Sequence, residues 1–318
     1  MLGAAHRPGA IPLRPLGLGD LYDGAFRIIR FNPKATVGSA VLVAAVAMVI
    51  PVLATAALSF VTDLSLDAGA DSDVTAELVG SAAVLGALGL GAVLQYVGLI
   101  FVTGMIAHVT AAAAIGRRLS LGEAWAATHG ARWRLVGLTL LVGLIWTAVL
   151  GVYAVASVVL LVLADSWVVA LGWFLVTVPV FVVLACWLWI RVTYLPVPAL
   201  MVERIGVFAA IGRGYGLTRR QFWRTFGIGL LTVVVTGVAS QILTVPFAIA
   251  AQVVSLAMSD SGGAVLVIVA VNGLGSVLST AFVAPFTAAV ASLQYLDQRM
   301  RKEAYDVELM TQAGITAS

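Results

Sequence analysis

Long apolar runs, separated by short polar segments, make up most of this sequence. Each run exceeds the ~20 residues that a helix needs to cross a bilayer, so the pattern predicts an all-α fold, a polytopic membrane helical bundle of about six transmembrane helices. A helix of about 35 residues would be ~52 Å long against ~30 Å of hydrocarbon, so the longest runs must tilt, kink or protrude. The runs cover residues 35–61, 78–115, 135–163, 166–202, 225–258 and 264–296.

Polar segments at the two ends divide the chain into three parts. We expect residues 1–34 to form an N-terminal segment with an amphipathic helix, residues 35–296 to form the six-helix transmembrane domain, and residues 297–318 to form a tail. Residues 54–56 (Ala-Thr-Ala) resemble a signal-peptide cleavage site. The apolar run continues beyond that site, and 34 residues are long for the basic part of a signal peptide, so we expect the first run to stay as a span.

Charged residues fall on two sides of the predicted bundle. All eighteen Lys and Arg lie in residues 1–34, 116–134, 203–224 and 297–318 or, for Arg191, close to that face. Basic residues favour the cytoplasmic side of a membrane. We therefore expect a multi-pass protein of the cytoplasmic (inner) membrane, with both termini and both basic loops in the cytoplasm. The opposite side carries no basic residue and seven carboxylates: Asp63, Asp67, Asp71, Asp73, Glu77, Asp165 and Asp260.

Composition excludes a soluble globular protein. The 318 residues are 61% hydrophobic and 10% charged, with a mean hydropathy of +1.06, whereas soluble domains carry about 25% charged residues. The net charge of +3 would suit a nucleic-acid partner, but the one-sided placement of the charges argues against nucleic acid. Sixteen arginines against two lysines are typical of a GC-rich bacterial genome.

No catalytic, cofactor or metal constellation stands out in the residues. His6, His108 and His129 are scattered, and the single cysteine, Cys186, lies in an apolar run without metal-ligand spacing. The glycine-rich residues 212–216 do not follow a predicted strand, so they do not indicate a nucleotide loop. We therefore expect no enzyme activity and no cofactor.

Three neutral polar side chains lie near mid-depth in the predicted spans: Gln95, Gln241 and Asn272. Such groups either hydrogen bond between helices or line a pathway. A proton- or sodium-coupled pump usually needs an ionisable group at this depth, and none is clear. We therefore favour hydrogen bonding between helices, with a pathway as the alternative.

Arg191 is the basic residue that lies deepest along a predicted span. It follows the outer end of its span by ~25 residues, or ~37 Å of helix, which places it near the cytoplasmic interface. An unpaired arginine at the bilayer centre costs ~2.5–3.5 kcal/mol. We therefore expect Arg191 to pair with a carboxylate, for which Glu203, Asp20 and Asp23 are the candidates.

An internal repeat with a period of about 90–100 residues is visible in the sequence. Short amphipathic segments begin near Leu18, Leu121 and Ile205, and each is followed by a polar or basic-aromatic corner and two spans. This order predicts a threefold parallel repeat of an elbow helix plus a helical hairpin around an axis along the membrane normal. The alternative is that Arg and Trp mark helix starts in membrane proteins generally.

The basic-aromatic corners are the candidate binding residues. Guanidinium groups pair bidentately with phosphate, and tryptophan anchors at the headgroup level. The corners therefore predict a cytoplasmic collar for anionic phospholipids or for the acidic surface of a membrane or cytoplasmic protein partner. The alternative is ordinary positive-inside anchoring. The candidates are Lys34, Arg132, Trp133, Arg134, Arg191, Arg219, Arg220, Trp223 and Arg224.

Short motifs along nearly the whole chain suggest a family. They are RPLGLGD at 14–20, DGAFR at 23–27, the stretch from Arg191 to Pro196, Glu203, LTR at 217–219, FWRTFG at 222–227, and YLDQRMRKE at 295–303 with Asp306. Together they resemble actinobacterial members of the glycerophosphoryl diester phosphodiesterase membrane domain family. In that family the membrane domain can be fused to a soluble barrel that carries the catalysis. This sequence shows no such barrel, so the resemblance implies a membrane domain without that activity.

These observations favour a non-enzymatic integral membrane protein, with an accessory, scaffold or lipid-associated role. One alternative is a transporter or channel for lipid or small solutes, which a water-filled cavity lined by Gln95, Gln241 and Asn272 would favour. The other is an intramembrane enzyme acting on lipid phosphodiesters. A cavity that converges on Arg191 with nearby carboxylates would favour binding of lipid headgroups.

Overall fold

The protein is all-α in the computed structural model. The structure describes residues 9–67, 74–164, 166–258 and 264–312, and no β-strand occurs in these ranges. Part of the predicted sidedness depends on four residues outside these ranges: Asp71, Asp73, Asp165 and Asp260. The helices are α1 (Leu18–Phe31), α2 (Pro33–Asp67), α3 (Val74–Ala114), α4 (Leu121–Ala127), α5 (Arg132–Leu163), α6 (Trp167–Leu188), α7 (Pro196–Glu203), α8 (Val207–Thr218), α9 (Phe222–Ala257), α10 (Ala264–Glu303) and α11 (Tyr305–Gln312).

Within the described ranges, six helical stretches are long and apolar enough to cross a membrane. This confirms the predicted fold class and the predicted number of spans, and it makes the chain a multi-pass membrane protein. The stretches are Pro33–Ala54, Val93–Ala114, Arg132–Leu163, Trp167–Glu203, Phe222–Ala257 and Ala264–Glu303.

The fourth span is interrupted, which the sequence pattern did not predict. α6 ends at Leu188, residues Trp189–Tyr194 form a π-helical segment, and α7 begins at Pro196. Pro196 lacks an N–H group and stands in the first turn of α7, where no N–H is needed for a helical hydrogen bond. The wider π turn places Arg191 beside α8, where its side chain finds its partners.

α10 is the central helix of the bundle. It packs against α1, α2, α3 and α9, and almost all of its residues from Pro285 to Met300 are buried. Small residues such as Ala288 and Ala289 permit this close approach. α10 also continues without a break past residue 297, where the sequence pattern placed the start of the tail, and Asp297 is fully buried.

The α5–α6 hairpin stands apart from this centre. None of the described residues of α6 is buried. The two helices meet mainly through large side chains, because the rings of Tyr153 and Phe181 stack at 4.5 Å and the indole N–H of Trp173 donates to Ser157 at 3.3 Å. The apolar surface of this hairpin is therefore left to lipid.

Short helices precede each pair of long helices, in the order that the predicted repeat requires. α1 precedes α2 and α3, α4 precedes α5 and α6, and α7 with α8 precedes α9 and α10. The pairs differ in packing, because α2 contacts α3 closely and α9 contacts α10 closely, whereas α5 and α6 are splayed. A threefold repeat therefore stays a prediction. We call the end of the bundle that carries α1, α4, α7, α8 and α11 the basic end.

Candidate functional site

The residues predicted to form a collar lie at the basic end, and only some of them are free. Lys34, Arg219 and Arg220 are exposed, and their side chains make no hydrogen bond or ion pair within the part of the chain that the structure describes. Trp133 is 86% exposed and Trp223 is 79% exposed. The exposed Trp223, with the free Arg219 and Arg220 shortly before it in the chain, is the arrangement expected where a protein meets lipid headgroups.

Arg224 is not free, because it belongs to a buried ion-pair network around Asp297. The Asp297 carboxylate is fully buried and pairs with Arg224 and with Arg301, whose Nε lies 2.9 Å from Asp297 Oδ1. The backbone N–H of Leu16 donates to the same carboxylate at 2.7 Å. Both arginines also donate to the Leu16 carbonyl oxygen at 2.8 Å. Arg224 therefore connects α9, α10 and the N-terminal segment, which corrects its predicted role as a lipid contact.

A second network joins α7, α8 and α10. Arg213 Nε donates to Glu203 Oε1 at 2.9 Å, and Arg213 Nη2 lies 2.6 Å from Glu303. Burial lowers the pKa of Arg213, but hydrogen bonds and charge from both carboxylates outweigh that effect and raise it above the ordinary value. Arg299 pairs with the same two carboxylates, and the hydroxyl of Tyr295 donates to Glu203. These charges stabilise the helix packing.

Arg191 caps the C-terminal end of α8. Its Nη1 donates to the Tyr215 carbonyl at 3.1 Å and to the Thr218 hydroxyl at 3.2 Å, and its guanidinium lies over the rings of Tyr215 at 4.5 Å and Phe222 at 5.6 Å. Lys302 donates to carbonyls of the same helix end. Cations at this position are stabilised by the negative end of the helix dipole and by ring faces.

The predicted pairing of Arg191 with a carboxylate is therefore wrong. Glu203 pairs instead with Arg213 and Arg299, and Asp20 pairs with Arg14. Asp23 is exposed, whereas Arg191 is 8% exposed and lies in the interior. The cost of burying Arg191 is offset by one helix carbonyl, one hydroxyl and two aromatic faces, which hydropathy and spacing could not reveal. Among the described residues no carboxylate pairs with Arg191, so the convergence of carboxylates that would have favoured headgroup binding there does not occur.

The corner before α5 is also bonded largely to the protein. Arg132 Nε donates to the Thr128 hydroxyl at 3.2 Å, and its guanidinium lies 4.4 Å from the ring of Trp125. Arg134 Nη1 donates to the Arg204 carbonyl at 2.8 Å. That carbonyl belongs to a left-handed residue that ends α7. Both arginines therefore position this corner, and their capacity for an external phosphate is smaller than the sequence suggested.

The corner between α1 and α2 carries the largest group of free cations. Arg27, Arg30 and Lys34 are exposed and lack hydrogen bonds and ion pairs among the described residues, and Arg118 stacks beside them on the ring of Phe31 at 4.5 Å. Arg27 and Arg30 were not among the predicted site residues. The helical period of α1 could have shown them, because they lie three residues apart on its polar face.

An apolar cleft lies next to this corner. Its volume is about 540 Å³, its lining is almost wholly apolar, and it opens between α1, α2, α9 and α10. Arg30 is the only charged residue among the described residues that line it, and it contributes mainly its aliphatic stem. The lining residues are Phe26, Ile29, Arg30, Val37, Val235, Thr236, Ala239, Ile242, Leu243, Phe282, Val283 and Phe286.

A hydroxyl-lined chamber of about 420 Å³ lies between α3, the π-helical segment, α9 and α10. Ser240 and Ser279 share a hydrogen bond of 2.7 Å across two of its walls. The amide of Gln294 donates to the Tyr194 hydroxyl at 3.1 Å, and Gln294 Oε1 is buried without a partner. The hydroxyl groups that line the chamber belong to Thr103, Thr193, Tyr194, Ser240, Ser279, Thr280 and Thr287.

Gln95, Gln241 and Asn272 do not come together. Gln95 Nε2 lies 3.4 Å from the Thr280 hydroxyl of α10, which links α3 to α10. Asn272 is exposed and bonds within its own helix. Gln241 is exposed, and its side-chain amide makes no hydrogen bond to the described residues. Most buried polar groups in the described residues are hydroxyls of Ser and Thr. These residues interrupt an apolar run only weakly in a hydropathy pattern, so the sequence did not single them out.

Among the described residues, no group of three or more His, Cys, Asp or Glu is arranged to hold a metal ion. Comparisons of the chain with family profiles, with curated proteins and with solved structures find no match. The resemblance to the glycerophosphoryl diester phosphodiesterase membrane domain family and the absence of enzyme activity therefore stay predictions.

Proposed function

We propose that this chain is a non-enzymatic, lipid-associated protein of the cytoplasmic membrane that binds anionic phospholipid at its basic end and serves there as an accessory or scaffold component. The observation that carries the proposal is the group of unpaired cations Arg27, Arg30 and Lys34 at the corner between α1 and α2. The positive-inside rule directs this end to the cytoplasm, where the leaflet is anionic and each basic residue near it contributes about 1 kcal/mol.

The division of the charges supports this role. Asp297, Glu203 and Glu303 are engaged in ion pairs within the protein, so they stabilise helix packing. Arg219 and Arg220 remain available beside the exposed Trp223. A surface with free cations and an interfacial tryptophan suits phosphate groups of lipids, because guanidinium groups bind phosphate with two parallel hydrogen bonds.

Native mass spectrometry of the purified protein tests the proposal. The parent is expected to retain anionic phospholipid, and a variant with Arg27, Arg30, Lys34, Arg219 and Arg220 changed to Gln is expected to lose it. Zwitterionic lipid serves as the internal control, and the unfolding temperature checks the fold. These five side chains make no hydrogen bonds or ion pairs within the described residues, so the variant should fold. Arg224 is left unchanged because its substitution would break the Asp297 network and destabilise the protein. Equal retention of anionic lipid would leave only ordinary membrane anchoring.

Passage of a small polar solute is the second candidate function, favoured by the hydroxyl-lined chamber. Glycerol entry into proteoliposomes, followed by light scattering, tests it. Thr193→Val and Thr280→Val remove chamber hydroxyls at nearly constant volume and should slow the entry. Thr177→Val is the matched control, because Thr177 lies in the α5–α6 hairpin and bonds to Tyr153 at 3.2 Å. Entry no faster than in empty liposomes would reject this function.

A further inference from the structure

We infer that the cleft between α1, α2, α9 and α10 is a binding site for one anionic phospholipid, with an acyl chain in the cleft and the phosphate on Arg30. This inference rests on the proposed function and names the site and the ligand class for it. Four observations support it: the depth of the cleft, its lining, its unfilled volume and the charge at its rim.

The cleft extends from α1 into the membrane-spanning part of the bundle. Thr236 and Ala239, on its α9 wall, follow Arg224 by 12 and 15 residues, which is ~18–22 Å of helix beyond the Asp297 network. The wall from α10 includes Phe282 and Phe286, which belong to the sixth span. Such a depth gives access from the hydrocarbon of the bilayer, so the occupant must enter from the lipid.

The lining of the cleft matches an acyl chain. Its volume of about 540 Å³ lies within the range of ~300–1,000 Å³ that small-molecule sites occupy. The walls are aliphatic and aromatic, and the Thr236 hydroxyl bonds to the Thr232 carbonyl of its own helix at 2.7 Å. That bond uses the only donor of the hydroxyl, so the α9 wall offers no free hydrogen-bond donor to a water-soluble ligand. A hydrocarbon chain is the occupant that such a surface stabilises.

The protein does not fill this space itself, although neighbouring side chains pack closely. The rings of Phe26 and Phe286 meet at 4.8 Å on one edge, and Phe286 also contacts Tyr22. Protein interiors are usually packed as densely as organic crystals, and unfilled apolar volume is costly. An α-helix is about 10–12 Å across with its side chains, so a partner helix does not suit a cleft of this volume.

Arg30 provides the charge at the rim. Its stem lines the cleft while the guanidinium is exposed and without a partner in the described chain, which is the way arginine extends its charge from an apolar surface to the interface. Lys34 lies four residues further along the chain, at the start of α2, and adds a second free cation. A phosphate bound here would be attached to a chain that continues directly into the cleft.

The test combines two substitutions with two matched controls. Ala239→Phe fills the cleft, and Ala156→Phe makes the same change in the apolar gap between α5 and α6, where no basic residue lines the described wall. Arg30→Gln removes the rim charge from an exposed residue, and Arg204→Gln removes an exposed cation between α7 and α8. The probe is phosphatidylglycerol with a photoactivatable acyl chain, which crosslinks to the protein in liposomes.

The parent should crosslink on α9 or α1 and retain one phospholipid in native mass spectrometry. Ala239→Phe should reduce both signals about tenfold because the acyl chain is excluded from the cleft. Arg30→Gln should reduce them by a similar factor because a hydrogen bond to a charged group is lost. Both control variants should keep the crosslink and the bound phospholipid. Unchanged signals in Ala239→Phe and Arg30→Gln would overturn this site and leave the proposed function standing. A parent without anionic lipid would overturn both. A bound mass of a fatty acid alone would overturn the assignment of a phospholipid.

Discussion

The backbone N–H of Leu16 donates a hydrogen bond of 2.7 Å to Asp297, although 281 positions separate the two residues. The carbonyl of Leu16 accepts from Arg224 and Arg301, the same two arginines that pair with that carboxylate. Both polar groups of the Leu16 backbone are therefore held by one network, and its side chain is fully buried. The network therefore fixes the segment before α1 against α9 and α10 at the basic end of the bundle.

Asp297→Asn should strongly destabilise the protein. The substitution keeps the shape of the side chain but leaves two arginines without their counter-charge, and breaking a buried ion pair typically costs roughly 3–5 kcal/mol. Tryptophan fluorescence during thermal unfolding in mild detergent measures the effect. Glu308→Gln is the control, because Glu308 is 57% exposed and lies 4.0 Å from Arg299, so its pair contributes about 0–1 kcal/mol. Equal unfolding temperatures for both variants would contradict the role of the network.

Arg191→Gln should lower the unfolding temperature, and Arg191→Lys should lower it less. Gln loses the charge that caps α8, whereas Lys keeps the charge but loses the planar contact with the ring of Tyr215. Hydrogen bonds to a charged group contribute about 1.5–3 kcal/mol each. The double variant Arg191→Glu with Glu203→Arg should be less stable than Arg191→Glu alone, because it also removes the pairs that Glu203 makes with other arginines. Restored stability in that double variant would show a direct pairing of residues 191 and 203.

Gly98→Ala should destabilise the packing of α2 against α3. A Cβ atom at Gly98 would lie 2.3 Å from Cγ1 of Val43, a β-branched side chain with few alternative rotamers. Overpacking of this kind costs about 1–3 kcal/mol. Gly143→Ala, on α5, is the matched control because a Cβ there meets nothing within 4 Å, and it should be neutral or slightly stabilising. The same thermal unfolding assay compares them, and a neutral Gly98→Ala would show that the helices are less close.

Single cysteines should establish the orientation of the bundle. In a Cys186→Ala background, Ser166→Cys lies in the α5–α6 connection and Thr311→Cys lies in α11 at the basic end, and both positions are exposed. All basic residues cluster at the second end, so we expect it to face the cytoplasm. An impermeant thiol reagent added to intact cells should label residue 166 and not residue 311. The opposite pattern would invert the topology, and labelling of both positions after lysis checks that each thiol is reactive.

Some of the fold was predictable because it depends on local properties of the sequence. Burial of an apolar run in lipid is set by the composition of about 20 consecutive residues, so the six spans are visible without tertiary information. The start of α7 at Pro196 also had a local signal, because proline favours the first turn of a helix. The π-helical segment was missed because Pro196 was not read as a helix boundary within an otherwise continuous apolar run.

The candidate site was only partly predictable, because the sequence shows which residues are charged but not which charges are occupied. Arg224 and Lys34 take equivalent places in the pattern, yet Arg224 is bonded to Asp297 and Leu16 while Lys34 is free among the described residues. The partners of Arg224 are remote in the chain. Arg30 gained its importance from the cleft beside it, which four separate helices create.

The sequence by itself determined the helical class, the number of spans and the expected sidedness, because transfer of apolar segments and basic residues between water and lipid acts on each segment nearly independently. Only the tertiary structure decided that Asp297 is a buried anchor, that Arg191 caps α8, and that a cleft opens next to Arg30. Those features depend on the packing and mutual distances of helices far apart in the chain, where a hydrogen bond or an ion pair forms only when both partners are brought within about 3 Å.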